Sequence, residues 1–192
     1  MAALIGIVLC LLVIIVVVGI LAMILYNTLV RKKNQVNNAF AGMDAILKKR
    51  YDLIPNLVST VKTYMKHERE VLTELTELRA KAISGQLTPD DRVDLEKSIN
   101  KVLGGIMVAV ENYPDLKANQ NFLQLQGSLN EVEEQISAAR RAYNASVTDY
   151  NNAIEMFPTN FMASMMKYKQ RTLFEIEESE RKNVNVNKLF KE

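Results

Sequence analysis

Cysteine and histidine occur once each in this chain and tryptophan not at all, while glycine is held to 7 and proline to 4 of the 192 residues. Each shortage excludes a class of chemistry. Cys10 lies inside an apolar run, with no second cysteine for an intrachain disulfide or a thiolate metal cluster. The one histidine, His67, opens the sequence His67-Glu68-Arg69-Glu70-Val71, and valine stands where a zinc-protease helix needs its second imidazole. Without a second histidine, Ser59, Thr60 and Ser98 have no base to complete a nucleophilic triad. Glu68, Glu70 and Glu74 lack the further oxygen ligands that a hard cation requires. A formal net charge of only +2 provides no imbalance that would recruit nucleic acid. No catalytic, cofactor or metal residue is expected. Few glycines and prolines, with abundant Ala, Leu, Glu, Lys and Gln, point to an all-α chain.

What the chain does contain is a long apolar start. From Ala2 to Tyr26 no charged, amide or hydroxyl side chain appears before the tyrosine. As a helix rising about 1.5 Å per residue this run would reach about 38 Å, enough to cross a hydrocarbon core of about 30 Å with some tilt. Cations follow the run instead of preceding it, and its exit, MILYNTLVRKK, has no small-residue cleavage site, so it reads as a retained span and not as a secretory signal. Cys10 also lacks the preceding small residues of a lipidated cysteine. The flanking cations Arg31, Lys32 and Lys33, with Lys48, Lys49 and Arg50 beyond them, predict a cytoplasmic C-terminal body whose basic edge meets anionic headgroups.

Beyond the span, Val36, Phe40, Met43, Leu47, Tyr51, Ile54, Val58, Val61, Met65, Glu68, Val71, Leu75, Leu78 and Ala82 keep three-and-four spacing, which predicts one amphipathic helix ending near Ser84-Gly85. Pro55 interrupts it. The apolar phase passes through Pro55 without a slip, which suits a kink better than a reversal. At about 55 residues this helix would extend about 80 Å, longer than its neighbours can cover, so part of its stripe would be hidden by other chains or by the membrane. Thr88, Pro89, Asp90 and Asp91 signal a second helix start. Gly104 and Gly105 in that second helix mark either a close backbone approach or a weak point. Pro114 closes it. Phe122 to Ile154 forms a coiled-coil-like seam stopping at Pro158, and Phe161 to Phe174 reads as a fourth helical segment with Met162, Met165 and Met166 on its apolar side.

YNTLV at 26–30, KKRYDLIPNLV at 48–58, VKTYMKHE at 61–68, YPDLKANQNFLQLQ at 113–126, AARRAYNASVTDYN at 138–151 and FPTNFMA at 157–163 closely resemble LemA family proteins. The resemblance runs from Tyr26 to about Phe174, and beyond that point nothing is carried over. It implies a bacterial inner-membrane protein with one N-terminal transmembrane helix, continuing into a cytoplasmic bundle of long antiparallel helices, and no established enzymatic activity. The encoding of some members beside membrane metalloproteases hints at a partner.

These readings divide the chain into an anchor (1–30), a LemA-like helical bundle (31–174) and a mobile C-terminal tail (175–192). Two functions compete. One is a membrane-anchored scaffold that self-associates, with lipids and copies of itself as partners; Ala2, Gly6 and Cys10 put small residues on one face of the span. The other is an adaptor of a membrane enzyme, with another membrane protein as partner. The stretch KKRYDLIPN places Arg50, Asp52 and Asn56 beside Pro55, where a broken helix frees backbone groups that need partners, and those four residues are the candidate interaction site.

Overall fold

With no polar side chain before Tyr26, the first run satisfies its backbone most simply through internal hydrogen bonds, and in the computed structural model it is helical from the second residue. The structure describes residues 1–85, 87 and 89–174, and the side chains of all of these except Ala2, Pro89 and Asp90. Six helices follow one another: α1 (Ala2–Lys62), α2 (Arg69–Ile83), α3 (Pro89–Val110), α4 (Pro114–Lys117), α5 (Gln120–Glu155) and α6 (Thr159–Met165), with no strand among the described residues. The fold is all-α, and the apolar part of α1 is long enough to cross a membrane. The tail at 175–192 and the helix-cap reading of Thr88 lie outside the described residues; Pro89 is the first residue of α3, as its fixed φ favours.

The chain divides into two compact units. One unites Asp44–Ala138 with Phe174 and holds the end of α1, all of α2 to α4 and the start of α5. Its contacts give the helix directions: Arg79 reaches back to Tyr51, Arg92 meets Asp44 while Glu96 meets Arg50, and Asn119 meets Tyr64 while Glu133 meets Arg50. So α2 and α5 run antiparallel to α1, and α3 runs parallel to it. Ile54, Leu57, Val61, Leu75, Ile99 and Phe122 fill the core between them.

The helix predicted to run on to Ala82 is two helices. α1 stops at Lys62, and the chain turns through residues 63–68 into α2. No proline or glycine marks this turn. The amides of Tyr64 and Met65 both bond to the Val61 carbonyl, and Met65, 1% exposed, plugs the turn from inside. An apolar residue at that position preserves the three-and-four spacing across a segment that is not helical. Tyr113 then donates its hydroxyl to the Glu68 carboxylate at 2.8 and 2.9 Å, closing this end of the unit. The apolar stripe that seemed too long for its neighbours therefore covers itself, and its length no longer calls for a second chain.

Pro55 does not reverse the chain; it lies within α1. A proline removes the N–H that would have met the carbonyl four residues earlier, here that of Tyr51. Arg79 Nε from α2 donates to that oxygen at 2.8 Å. At the glycine pair no close approach exists, because a Cβ on Gly104 or Gly105 would meet nothing within 4 Å. The pair is a weak point in an exposed helix face.

The other unit joins Met1–Met43 to Ala139–Leu173. Phe40 and Tyr143 rings pack at 5.9 Å, Lys32 bonds Asp149 at 2.6 Å, and α5 is thereby antiparallel to α1 here as well. The expected helix to Phe174 ends far sooner, because α6 closes at Met165. Lys167 takes a left-handed φ of 54°; its amide bonds to the Ser164 carbonyl and the Tyr168 amide to that of Ala163, a Schellman termination. Residues 168–173 return as an extended strap. Tyr150 and Tyr143 donate to the carbonyls of Lys169 and Thr172, and the Asn151 side chain donates to the Arg171 carbonyl and accepts from its amide, both at 2.9 Å. Met162 and Met166 are half-buried as core filler, whereas Met165 is 79% exposed and faces outward.

Replacing Arg79 by Met leaves the Tyr51 carbonyl without a donor and should destabilise the protein by about 1–3 kcal/mol. Adding Pro55→Ala restores the missing N–H and should recover part of that loss in urea melts of the detergent-solubilised chain. If Pro55→Ala gave the same gain whether Arg79 were present or absent, the two groups would not share that oxygen.

Candidate functional site

Of the four residues at the candidate site, the structure buries only one. Asp52, Pro55 and Asn56 are exposed, and the Asn56 carbonyl accepts from the hydroxyls of Ser59 and Thr60. Arg50, one turn earlier on α1, is 5% exposed and points into the core of its unit. The groups expected to gather at the proline are thus separated, and the carbonyl freed there is met by Arg79 from another helix.

Arg50 is the hub of a buried charge network. Its guanidinium donates to Glu96 Oε2 at 3.0 Å and to Asn100 on α3, and it lies 3.1 Å from Glu133 Oε2 on α5. The Tyr51 hydroxyl donates to the other Glu96 oxygen. One turn before Glu96, the buried Arg92 pairs with Asp44 of α1 at 2.9 Å, and its Nε has no hydrogen-bond partner. Glu96 itself is 2% exposed. Burial pushes its carboxyl above the ordinary carboxylate range, against the opposing pull of the Tyr51 hydrogen bond and the Arg50 and Arg92 charges. Burial also raises the Tyr51 phenol, reinforced by the carboxylate beside it.

Sequence reading singled out Arg50 and passed over its partners. For Glu96 and its neighbour Arg92 the signal was a spacing: Arg92, Glu96, Ile99 and Leu103 recur three and four apart, so two charged residues share the apolar stripe of α3. Charges placed on a buried face need each other or an opposing helix. The network opens into a shallow cleft of about 300 Å³ bordered by Asn100, Gly104, Met107 and Asn130, but the Arg50 donors are already committed to protein groups.

The membrane-flanking cations also differ from one another. Arg31 is exposed, Lys32 pairs with Asp149, and the Lys33 ammonium stands 5.0 Å over the Tyr168 ring of the strap. Two of the three therefore have protein partners. Unpaired cations occur elsewhere: at the α1–α2 turn a cleft of about 740 Å³ is lined by Val58, Met65 and Leu72 with Lys62, Lys66 and Arg69, and none of those three cations has an ion-pair partner among the described residues. His67 is exposed in the same turn, and no group of three or more metal-ligating side chains is present among the described residues.

A family model described as LemA family matches residues 39–187. The chain belongs to the LemA family. The match runs past Phe174, where the resemblance carried by the motifs stopped, so part of the tail belongs to the family pattern too. Among LemA-family relatives, a protein named Protein LemA from Metamycoplasma hominis is 29% identical over 85% of this chain and 74% of its own length. Magnetosome protein MamQ 2 of Paramagnetospirillum magneticum is 24% identical, and Magnetosome protein MamQ of Magnetospirillum gryphiswaldense 21%, each over 78% of this chain. The chain spans 64% of those MamQ proteins, a little under two thirds of their length.

Removing the Arg50 guanidinium with Arg50→Met should cost about 3–5 kcal/mol in chemical denaturation, because Glu96 remains buried without its counter-charge. Glu96 carries a second, pH-dependent signature. Its native carboxyl holds a proton more tightly than in the unfolded chain, so the native state gains from protonation, and this contribution is lost as pH rises from the ordinary value near 4.5 through the raised native one. Glu96→Gln removes that titration. Across this window wild-type stability should fall with rising pH relative to the Gln variant; parallel stability curves would show that burial does not govern the carboxyl.

Proposed function

We propose that this LemA-family chain is a non-enzymatic, membrane-anchored helical scaffold that self-associates and organises proteins or membrane surface. The observation that carries this reading is the use made of its polar residues. Arg50, Tyr51, Glu96 and Glu133 tie α1, α3 and α5 to one another, so the most chemically endowed cluster in the chain serves cohesion. The apolar run supports anchoring, since residues 3–21 are exposed with no cover from the other described residues and Gly6 leaves open space on that surface. A second copy of the span fits such a surface, with small residues permitting close helix approach. In this reading the anchor lies in a bacterial inner membrane with the helical body in the cytoplasm, as the distribution of Lys and Arg favours. The names of the LemA and MamQ relatives denote no reaction, which is consistent with an organising role.

A second reading, an adaptor or regulator of a membrane enzyme such as a metalloprotease, draws support from the cleft at the α1–α2 turn. Three unpaired cations over an apolar floor suit an acidic segment of a partner protein.

Photocrosslinkers placed in cells at Lys66, which lines that cleft, and at the exposed Glu77 and Val108 separate the two. A ladder of the chain's own multiples is expected for a scaffold. One foreign membrane protein captured from Lys66, with no ladder from any site, would replace the scaffold with the adaptor.

A further inference from the structure

Four large apolar side chains at the α5–α6 corner face outward: Met156, Phe157, Phe161 and Met165 are 64, 78, 70 and 79% exposed. The Phe157 and Phe161 rings meet edge to face at 6.4 Å, forming one platform with Met165 a turn further along α6. Ala163 on the opposite face is buried. What lies beyond the platform follows from helix register. α5 runs antiparallel to α1 with Phe40 at Tyr143 and Lys32 at Asp149. Seven further residues, the first six in α5 and about 10 Å at 1.5 Å each, bring Met156 level with Leu25 and Tyr26, the point at which α1 leaves its apolar run. Exposure along α1 agrees: residues 3–21 are bare, Ala22 and Leu25 are partly covered, and Leu29 is fully buried.

We propose that the α5–α6 corner is an interfacial membrane-docking element, inserting Phe157, Phe161, Met156 and Met165 into the headgroup and upper acyl region of the bilayer that holds α1. The occupant is lipid because the patch stands beside the end of the span, on the same compact unit. An apolar platform of this depth suits the boundary zone, where side chains enter about 5–10 Å. The polar surroundings fit as well. Exposed Lys167 follows α6 and exposed Arg31 follows the span, both able to meet phosphate, while the Glu155 carboxylate is held by the Gln170 side chain. The unit that joins Met1–Met43 to Ala139–Leu173 would then touch the membrane at two places, the span and this corner, which fixes the tilt of that unit to the surface. The inference rests on the reading of the apolar run as a membrane span, and not on self-association.

The chain has no tryptophan, so a single introduced indole reports one site. Full-length F157W, F161W, L12W and A142W variants would be reconstituted in phosphatidylcholine–phosphatidylglycerol vesicles whose acyl chains are brominated either near the carbonyl or near the terminal methyl. Shallow bromines should remove about half the emission of F157W and F161W, deep bromines should act most on L12W in the span, and A142W, roughly 20 Å along α5, should keep a water-exposed, unquenched spectrum. Unquenched, water-exposed emission from both F157W and F161W would overturn the docking. Blue-shifted emission that resists lipid quenching and strengthens with protein density would overturn it in favour of a second copy, and quenching of A142W equal to that of F157W would also refute a localised contact. An unquenched L12W would overturn the anchoring, and the docking with it.

Discussion

Cohesion of the Asp44–Ala138 unit depends on a charge that water has left. Arg50 gives up its hydration in the middle of a helical core, and the cost is offset only because Glu96, Asn100 and Glu133 arrive from two other helices at the right heights. An apolar core tolerates sliding of one helix on another by a turn; a guanidinium that must meet carboxylates on α3 and α5 together does not. The network thus ties three helices to one register. The upward push of burial on the Glu96 carboxyl, which the Arg50 charge opposes, is the counterpart of this arrangement, since the desolvation that makes the network selective also makes its anion expensive.

A second constraint acts a turn away. Pro55 breaks one backbone bond in α1, and the exposed oxygen gives α2 a fixed point of attachment through Arg79. The proline that looks like a flaw in a long helix is the reason a neighbouring helix can be positioned by a backbone atom. Together, the Arg50 network and the Tyr51 carbonyl hold α2, α3 and α5 to adjacent turns of α1, leaving Asp52 and Asn56 on the solvent face.

Much of this architecture was legible in the chain. The apolar run, the helix start at Pro89, the helix over Phe122 to Ile154 and the break at Pro158 all rest on local signals, and the structure follows them. Two features were hidden. The α1–α2 turn contains no helix breaker and places Met65 where the spacing expects an apolar residue, so periodicity runs through a segment whose backbone does not. The early end of α6 uses a lysine in a left-handed conformation usually taken by glycine, which gives composition nothing to register. For the candidate site, proximity in sequence to Pro55 misled: Arg50 was found, but its carboxylate partners lie 46 and 83 residues away, and of these only Glu96 stood out, as a charge on the apolar stripe of α3.

The strap at 168–173 shows how little can hold a chain segment. Asn151 treats the Arg171 peptide as a neighbouring β-strand would, giving one hydrogen bond and taking one. The amide does both, through its nitrogen and its oxygen. Exchange of its nitrogen for oxygen, which slow hydrolysis brings about in an ageing protein without any mutation, would set a carboxylate against the Arg171 carbonyl and turn half the latch from attraction to repulsion. That single atom makes the strap a place where the molecule can record time.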